Sequence, residues 1–307
     1  MKKIDGYEKT MEAIHNTKNL PIEEAVETLI HCAKKGYPIA SARAVQELAL
    51  LNSPVVVPYL TELYDWLEER PHERDRACDI RITIVECLGE IGSMRGVDTL
   101  RKAIRTVQIA KLGPSPEDVA IGLRATAALA LASVDADCLY DLAILLHDEE
   151  PAIPVSPVSR PFVKASTRSA AAKAIGALGG AGGAAILAVK LKFPNDEVPE
   201  VLAECLESLI AMKPEYIMEI AKPYLMGENE FLCAITALAL AENFGVEVLE
   251  LLCEAIDKVG GEAKEGIVVA ISVMKGSSIH QLLQDFLGHP DPHVRKGAKK
   301  GLDLNRK

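Results

Sequence analysis

The sequence predicts an all-α chain, a right-handed α-α superhelix of about seven to eight stacked helix pairs. Three observations predict it. Apolar content of 49% is supplied mainly by Ala, Leu, Ile and Val, with only 4% aromatics, and many of these residues favour closely packed helices. Apolar positions recur at helical spacing, as in Ile80, Ile84, Cys87, Leu88 and Ile91. One segment returns along the chain at a period of about 40 residues.

That segment reads as the second helix of a pair. It runs Ala42 to Leu48, Ile80 to Gly89, Leu123 to Leu131, Thr167 to Gly176 and, last, Val294 to Leu302. Its arginines, Arg43, Arg81, Arg124 and Arg168, follow one another at 38, 43 and 44 residues. These intervals suit paired-helix repeats of about 40 to 47 residues. Between Arg168 and Arg295 three more second helices fit, near Val201 to Ile210, Leu232 to Leu240 and Ile267 to Met274, at intervals nearer 30. First helices precede several of them, over Val55 to Glu69, Val97 to Ala110 and Cys138 to His147. A helix pair that cannot bury its apolar face alone must stack on its neighbours.

The last repeat, His289-Pro290-Asp291-Pro292-His293-Val294-Arg295-Lys296-Gly297-Ala298, resembles the "D-P-x-V-R-x-x-A" signature of the HEAT-repeat family. The likeness is to the short prokaryotic HEAT-like repeats, as in bilin-lyase-like repeat proteins. Asp75 with Arg81, and Asp118 with Arg124, keep the spacing of six seen in the longer variant. The resemblance implies a HEAT/armadillo-like solenoid, but a fold does not name an activity. It also implies that Arg43, Arg81, Arg124, Arg168 and Arg295 form a structural ladder with Asp75, Asp118 and Asp291, bonding repeat to repeat. An anion track along the same arginines is the sharper alternative.

Two parts are expected: 1–194, with longer repeats, the arginine ladder and enlarged loops, and 195–307, with shorter repeats that are acidic and then end in a basic C-terminal cap. Three connections between first and second helices are enlarged: Arg70 to Asp75, Leu112 to Glu117, and the proline-rich Glu149 to Phe162. Corresponding insertions in stacked repeats fall on one edge, so these loops should be neighbours. The third either lies over a surface, presenting Pro154, Pro157 and Phe162 to a partner, or plugs the side of the stack with its apolar residues. Gly179-Gly180-Ala181-Gly182-Gly183 follows a helix and lacks the G-K-[ST] of a phosphate loop, so it reads as a tight turn.

Net charge is −10, and it is uneven. Between Asp196 and Glu262 fifteen acids face three bases. Glu200, Glu204 and Glu207 share one helix face, either as a solvated side or as a negative surface that recruits a basic segment of another protein. This balance fits nucleic acid poorly, because phosphate binding rests on Lys and Arg. Arg95, Arg101, Lys102 and Arg105 leave room for a small local basic patch.

Chemistry finds little support. Deoxyhypusine hydroxylases resemble this chain in size and fold, and that resemblance implies a di-iron site built from several His-Glu pairs. Here there is one such pair, His72-Glu73, in a loop. HEAT-like alkylpurine DNA glycosylases imply tryptophans in a basic groove, whereas Trp66 is the only tryptophan. Trp66 reads as core or shoulder packing, with an aromatic contact on a groove wall as its functional alternative. His289, Asp291 and His293 are turn residues beside two prolines rather than a metal set. The seven cysteines are scattered, with no C-x-x-C, and read as reduced core residues of a cytoplasmic protein. No catalytic residue, metal or cofactor is expected. No secretion signal or membrane span is expected either, the apolar stretches such as Ile121 to Val134 being too short.

The function expected is a non-catalytic scaffold that binds a protein or peptide on the face of its second helices. Trp66, Glu200, Glu204, Glu207, Pro154, Pro157 and Phe162 are the candidate contacts. The alternative is a small-molecule or lyase-like protein with a pocket under the 149–162 loop.

Overall fold

A computed structural model gives the fold. It describes residues 2–51, 53–113, 116–148, 167–195 and 197–305. The all-α expectation holds. Among the described residues the strands are two dipeptides, β1 (Ile109–Ala110) and β2 (Glu117–Asp118), paired antiparallel with Ile109 opposite Asp118. The chain divides into two compact units, Met1–Ala174 and Ile175–Lys307.

The first unit contains α1 (Lys2–Asn16), α2 (Ile22–Ala33), α3 (Pro38–Leu50), α4 (Val57–Glu69), the short α5 (Pro71–Arg74), α6 (Asp79–Ile91), α7 (Val97–Ala103), α8 (Ile121–Val134), α9 (Leu139–Leu145) and the start of α10 (Thr167–Leu178). First helices pack on second helices, α2 on α3, α4 on α6 and α7 on α8, and the second helices pack in series, α3 on α6 and α6 on α8. Burial follows the sequence periodicity: Ile80, Ile84, Cys87 and Leu88 are all at most 3% exposed.

Two local endings differ from the sequence reading. The first helix at Val97 stops at Ala103, seven residues early, because Gln108 to Ala110 turn into the β1 bridge and Gln108 N–H donates to the Asp118 carboxylate at 3.1 Å. Gly179 (φ 71) and Gly180 (φ 75) make the sharp turn after α10, conformations that cost glycine little. Gly182 and Gly183 already belong to the next helix.

The second unit holds the end of α10, then α11 (Gly180–Lys192), α12 (Pro199–Met212), α13 (Ile217–Leu225), α14 (Glu230–Phe244), α15 (Leu249–Lys258), α16 (Gly261–Ser272), α17 (Ser277–Phe286) and α18 (Pro292–Leu304). Again the second helices pack in series, α12 on α14, α14 on α16 and α16 on α18, with α11, α13, α15 and α17 each packed on the helix that follows it. Small residues allow close approach. A Cβ placed on Gly266 would lie 2.5 Å from the Ala234 Cβ, and one on Gly297 2.8 Å from the Glu265 carbonyl oxygen.

One stretch corrects the expectation about apolar length. Glu230–Lys258 spans 29 residues with a mean hydropathy of 1.6 in its most apolar window, enough by length and composition to cross a membrane. In the fold Gly245 (φ 58) separates α14 from α15, and Leu232, Cys233, Ala237, Leu240, Leu252 and Ala255 are buried in the core of the unit. The acids Glu242, Glu247, Glu250 and Glu254 along it hid its apolar length from a plain reading of runs.

Candidate functional site

The second unit presents one helix face that its core does not use. In α12 the buried side is Val201, Leu202, Cys205, Leu206 and Leu209, which leaves Glu200 and Glu207 exposed and Glu204 half-buried on the opposite side. Thirty-one residues later the same register recurs on α14 as Phe231, Ile235 and Leu238, with Phe231 47% exposed and the other two half-buried. A further step of thirty-one reaches α16 at the exposed Glu262, Gly266 and the half-buried Val269, with the exposed Val273 just past the end of the helix. On α18 the same step reaches the half-buried His293 and the exposed Lys300, with the exposed Lys296 one turn before Lys300. Equal spacing in sequence and serial packing in space align these positions. The face therefore passes from the acids of α12, over Phe231, Ile235, Leu238 and Val269, to Lys296 and Lys300 of α18.

Charge on its far edge is fixed by neighbours. Glu265 is bridged by Lys296 at 2.8 Å and by Lys300. Burial pushes its carboxyl pKa up, yet the two ammonium groups outweigh that and hold it below the usual carboxylate range. Asp291 is held low by Lys264, at 2.8 Å, and by the His293 N–H it accepts at the start of α18. Asp291 is thus a helix cap, as its neighbours Pro290 and Pro292 suggest.

Of the remaining candidate contacts, Trp66 lies in the first unit, on α4, a first helix. Its ring is half-buried between the Arg74 guanidinium, 4.1 Å from the centroid, and the Lys34 ammonium at 5.5 Å. The ring is therefore already engaged by cations of the chain itself. Pro154, Pro157 and Phe162 lie outside the described residues, as does the whole 149–162 loop.

In the first unit the expected ladder residues meet one another in part. Asp75 receives Arg81 Nε at 3.0 Å, and Arg81 also donates to the Gln108 side-chain oxygen. Gln108 N–H passes to Asp118, and Asp118 takes Arg124 Nη1 at 2.7 Å. Arg124 Nε continues to Asp148 at 3.0 Å, which also accepts the Thr167 hydroxyl, while Arg168 donates to the Asp148 carbonyl. Arg81 and Arg124 are 1% and 3% exposed. Gln108, which joins the two Asp-Arg pairs, was absent from the sequence-level ladder.

Arg43 and Arg295 stand outside this chain of bonds, a correction to the ladder drawn from sequence. Arg43 is exposed and pairs with Glu47 one turn on, and Arg295 donates to the carbonyls of His289 and Pro290. The partner of Asp291 is Lys264, not Arg295. Matching letters at matching spacing do not fix a partner when a lysine of the preceding second helix reaches the carboxylate first.

The first enlarged loop meets the chain just before the second: Gln108 Nε2 donates to the Asp75 and Arg76 carbonyls at 3.1 and 2.9 Å, and Arg76 donates to the Lys111 carbonyl. Beside them opens a cleft of about 800 Å³ lined by Glu68, His72, Arg81, Arg101, Lys102 and Arg105 among others. Its cations are matched: Arg101 to Asp135 and Asp141, Arg105 to Asp141, Lys102 to Asp65. A phosphate entering here would compete with carboxylates already in place. A smaller cavity of about 380 Å³, lined by Arg105, Arg124, Ile144, His147 and Asp148, adjoins it.

Nucleophilic chemistry finds no support at the buried thiols. Burial raises Cys78, Cys87 and Cys205 to about 12 and Cys138 to about 11, so each stays protonated at neutral pH. His72 and Glu73 are exposed on α5. Among the described residues no three His, Cys, Asp or Glu side chains gather as metal ligands.

No protein-family model matches this chain, and no curated protein matches it. Among solved structures it is similar to human deoxyhypusine hydroxylase in complex with glycerol, at 17% identity and a TM-score of 0.31, over 96% of this chain and 89% of that one.

Proposed function

We propose that this chain is a HEAT-like solenoid acting as a non-catalytic scaffold, which holds a protein or peptide partner on the face of its second helices. One observation carries the reading. The outward positions of α12, α14 and α16 repeat every thirty-one residues and set the exposed Phe231 and the half-buried Ile235, Leu238 and Val269 in register with Glu200, Glu204 and Glu207. An apolar patch with a charged rim, left uncovered by its own core, is the form of a protein-binding surface. Partner capture from a lysate, followed by mass spectrometry, compares the wild type with Phe231→Glu and with the triple variant Glu200→Lys, Glu204→Lys, Glu207→Lys. A salt-sensitive partner should vanish from both variants. An identical set of captured proteins in all three samples sinks the reading.

A second reading, a small-molecule site under the 149–162 loop, is supported by the cavity of about 380 Å³, whose lining ends at Asp148, next to that loop. Thermal-shift screening with and without residues 149–162 separates the two. Ligand stabilisation that is lost on deletion favours the pocket.

A further inference from the structure

Resting on the scaffold reading above, we infer that the partner element is a single amphipathic helix of about 20 residues, with its Lys and Arg gathered toward the end that lies over α12 and acidic residues toward the end over α18. Size decides first. Four second helices packed at about 8–10 Å spacing span roughly 30 Å, which one helix of about 20 residues covers at a rise of about 1.5 Å per residue. The face is about 20 Å in its other dimension, the length of its 12- to 15-residue helices. Its area is therefore about 600 Å², short of the roughly 800 Å² per partner of a standard interface. A second copy of the chain would be held poorly by this face alone, whereas a helix lying on an apolar strip needs no more.

Charge then fixes the direction. The acids Glu200, Glu204 and Glu207 edge one side. Glu242 on α14 and Glu262 on α16 are exposed at the two ends of the apolar strip. Lys296 and Lys300 edge the far side, where both also reach Glu265. A uniformly basic segment would meet like charge over α18, and a uniformly acidic one over α12. Only a helix with segregated charge, and an apolar stripe at i, i+3, i+4 and i+7 between, complements the whole face. The apolar strip supplies contact area and the two edges supply register.

The test uses two labelled synthetic helices of identical composition with the full chain. One carries Lys in its first third and Glu in its last third around a Leu stripe. The other keeps the stripe and interleaves the same charges. Fluorescence anisotropy at about 50 mM salt should show the segregated peptide binding at least tenfold tighter. The preference should collapse in the Glu200→Lys, Glu204→Lys, Glu207→Lys variant, whose folding is checked by its helical circular dichroism. Both peptides should lose affinity in Phe231→Glu. Equal affinity for the two peptides, or a preference unchanged in the triple variant, overturns the inference. If the peptides do not discriminate but Phe231→Glu still abolishes capture of a cellular partner, the scaffold reading stands and only the charge order falls. Sedimentation of the wild type as a dimer that Phe231→Glu dissociates would make a second copy the occupant and overturn the helix.

Discussion

Successive second helices pack through small residues in both units, Gly89 on Ala130 in the first and Gly266 on Ala234 in the second. The first, however, adds a run of buried Asp-Arg pairs where the second adds the more exposed Lys-Glu pairs of Glu265 with Lys296 and Lys300. In the first, Arg81 and Arg124 are buried and each answers a buried carboxylate, Asp75 and Asp118, while Gln108 and Asp148 carry the bonds onward. In the second, α14 meets α16 through Ala234 and Gly266, and α16 meets α18 through Val268 and Gly297, contacts of small side chains with backbone close behind. A buried charge tolerates no missing partner, whereas a small-residue contact tolerates no added volume. The second unit also pairs acids internally, Glu197 with Lys190, Glu219 with Lys192, Glu254 with Lys222 and Lys258, and Asp291 with Lys264, and it carries Glu200 and Glu207 at its surface.

The largest expected effect breaks the ladder of the first unit. Arg124→Met leaves Asp118 buried with its ion-pair partner gone and should lower stability by about 3–5 kcal/mol. Arg124→Lys should recover little, because one ammonium cannot reach Asp118, the Thr106 carbonyl and Asp148 in the fork geometry of a guanidinium. Urea denaturation measures the loss, and hydrogen exchange should place it in α6 and α8. A stable Arg124→Met protein would mean that packing, not charge, orders these repeats.

Much of this contrast was legible in sequence, and the rest was hidden for identifiable reasons. The second helices announced themselves because Arg81 and Arg124 sit at fixed distance from Asp75 and Asp118 and the apolar positions keep helical period. Gln108 gave no signal, since its role depends on a bridge between β1 and β2 that brings residues 108 and 118 together. Arg43 and Arg295 gave a false one, because spacing records a local motif and not the residue that arrives from the neighbouring helix. The acids of α12 were legible as a stripe. Their apolar neighbours on α14 were not, since Phe231, Ile235 and Leu238 lie in a helix that is apolar on nearly every side and only the thirty-one-residue register tells core from surface.

A middling effect sharpens the second half of the comparison. Gly266→Ala gains up to about 1 kcal/mol of helix propensity but sets a methyl 2.5 Å from the Ala234 Cβ, and overpacking of that kind costs about 1–3 kcal/mol. A net loss should appear as a melting temperature several degrees lower. Adding Ala234→Gly should restore part of it, and this non-additivity marks a direct contact. Simple additivity would place the strain elsewhere.

A smaller effect depends on pH. Glu265 has its folded pKa depressed, so its contribution is present above the ordinary carboxylate range and is lost as pH falls through the lower folded value. Its partners Lys296 and Lys300 are more than half exposed, so the contribution should stay below about 1 kcal/mol. Between about pH 5 and pH 3 the melting temperature of the wild type should fall more steeply than that of Glu265→Gln. Parallel curves would remove Glu265 from the acid response.

The smallest stability effect carries the largest functional consequence. Reversing Glu200, Glu204 and Glu207 touches no buried apolar group, since each lies opposite the α12 core, and surface substitutions of this sort usually shift stability by about 0.5 kcal/mol or less each. In the first unit one arginine should cost several times more than all three of these glutamates. If the triple reversal instead destabilises the chain as much as Arg124→Met, then the α12 acids are structural, the second unit also relies on internal charge, and its open face loses the acidic edge on which binding was argued. If stability is kept and partner binding is lost, the α12 acids act in recognition, whereas the buried Asp-Arg pairs of the first unit act in holding its helices together.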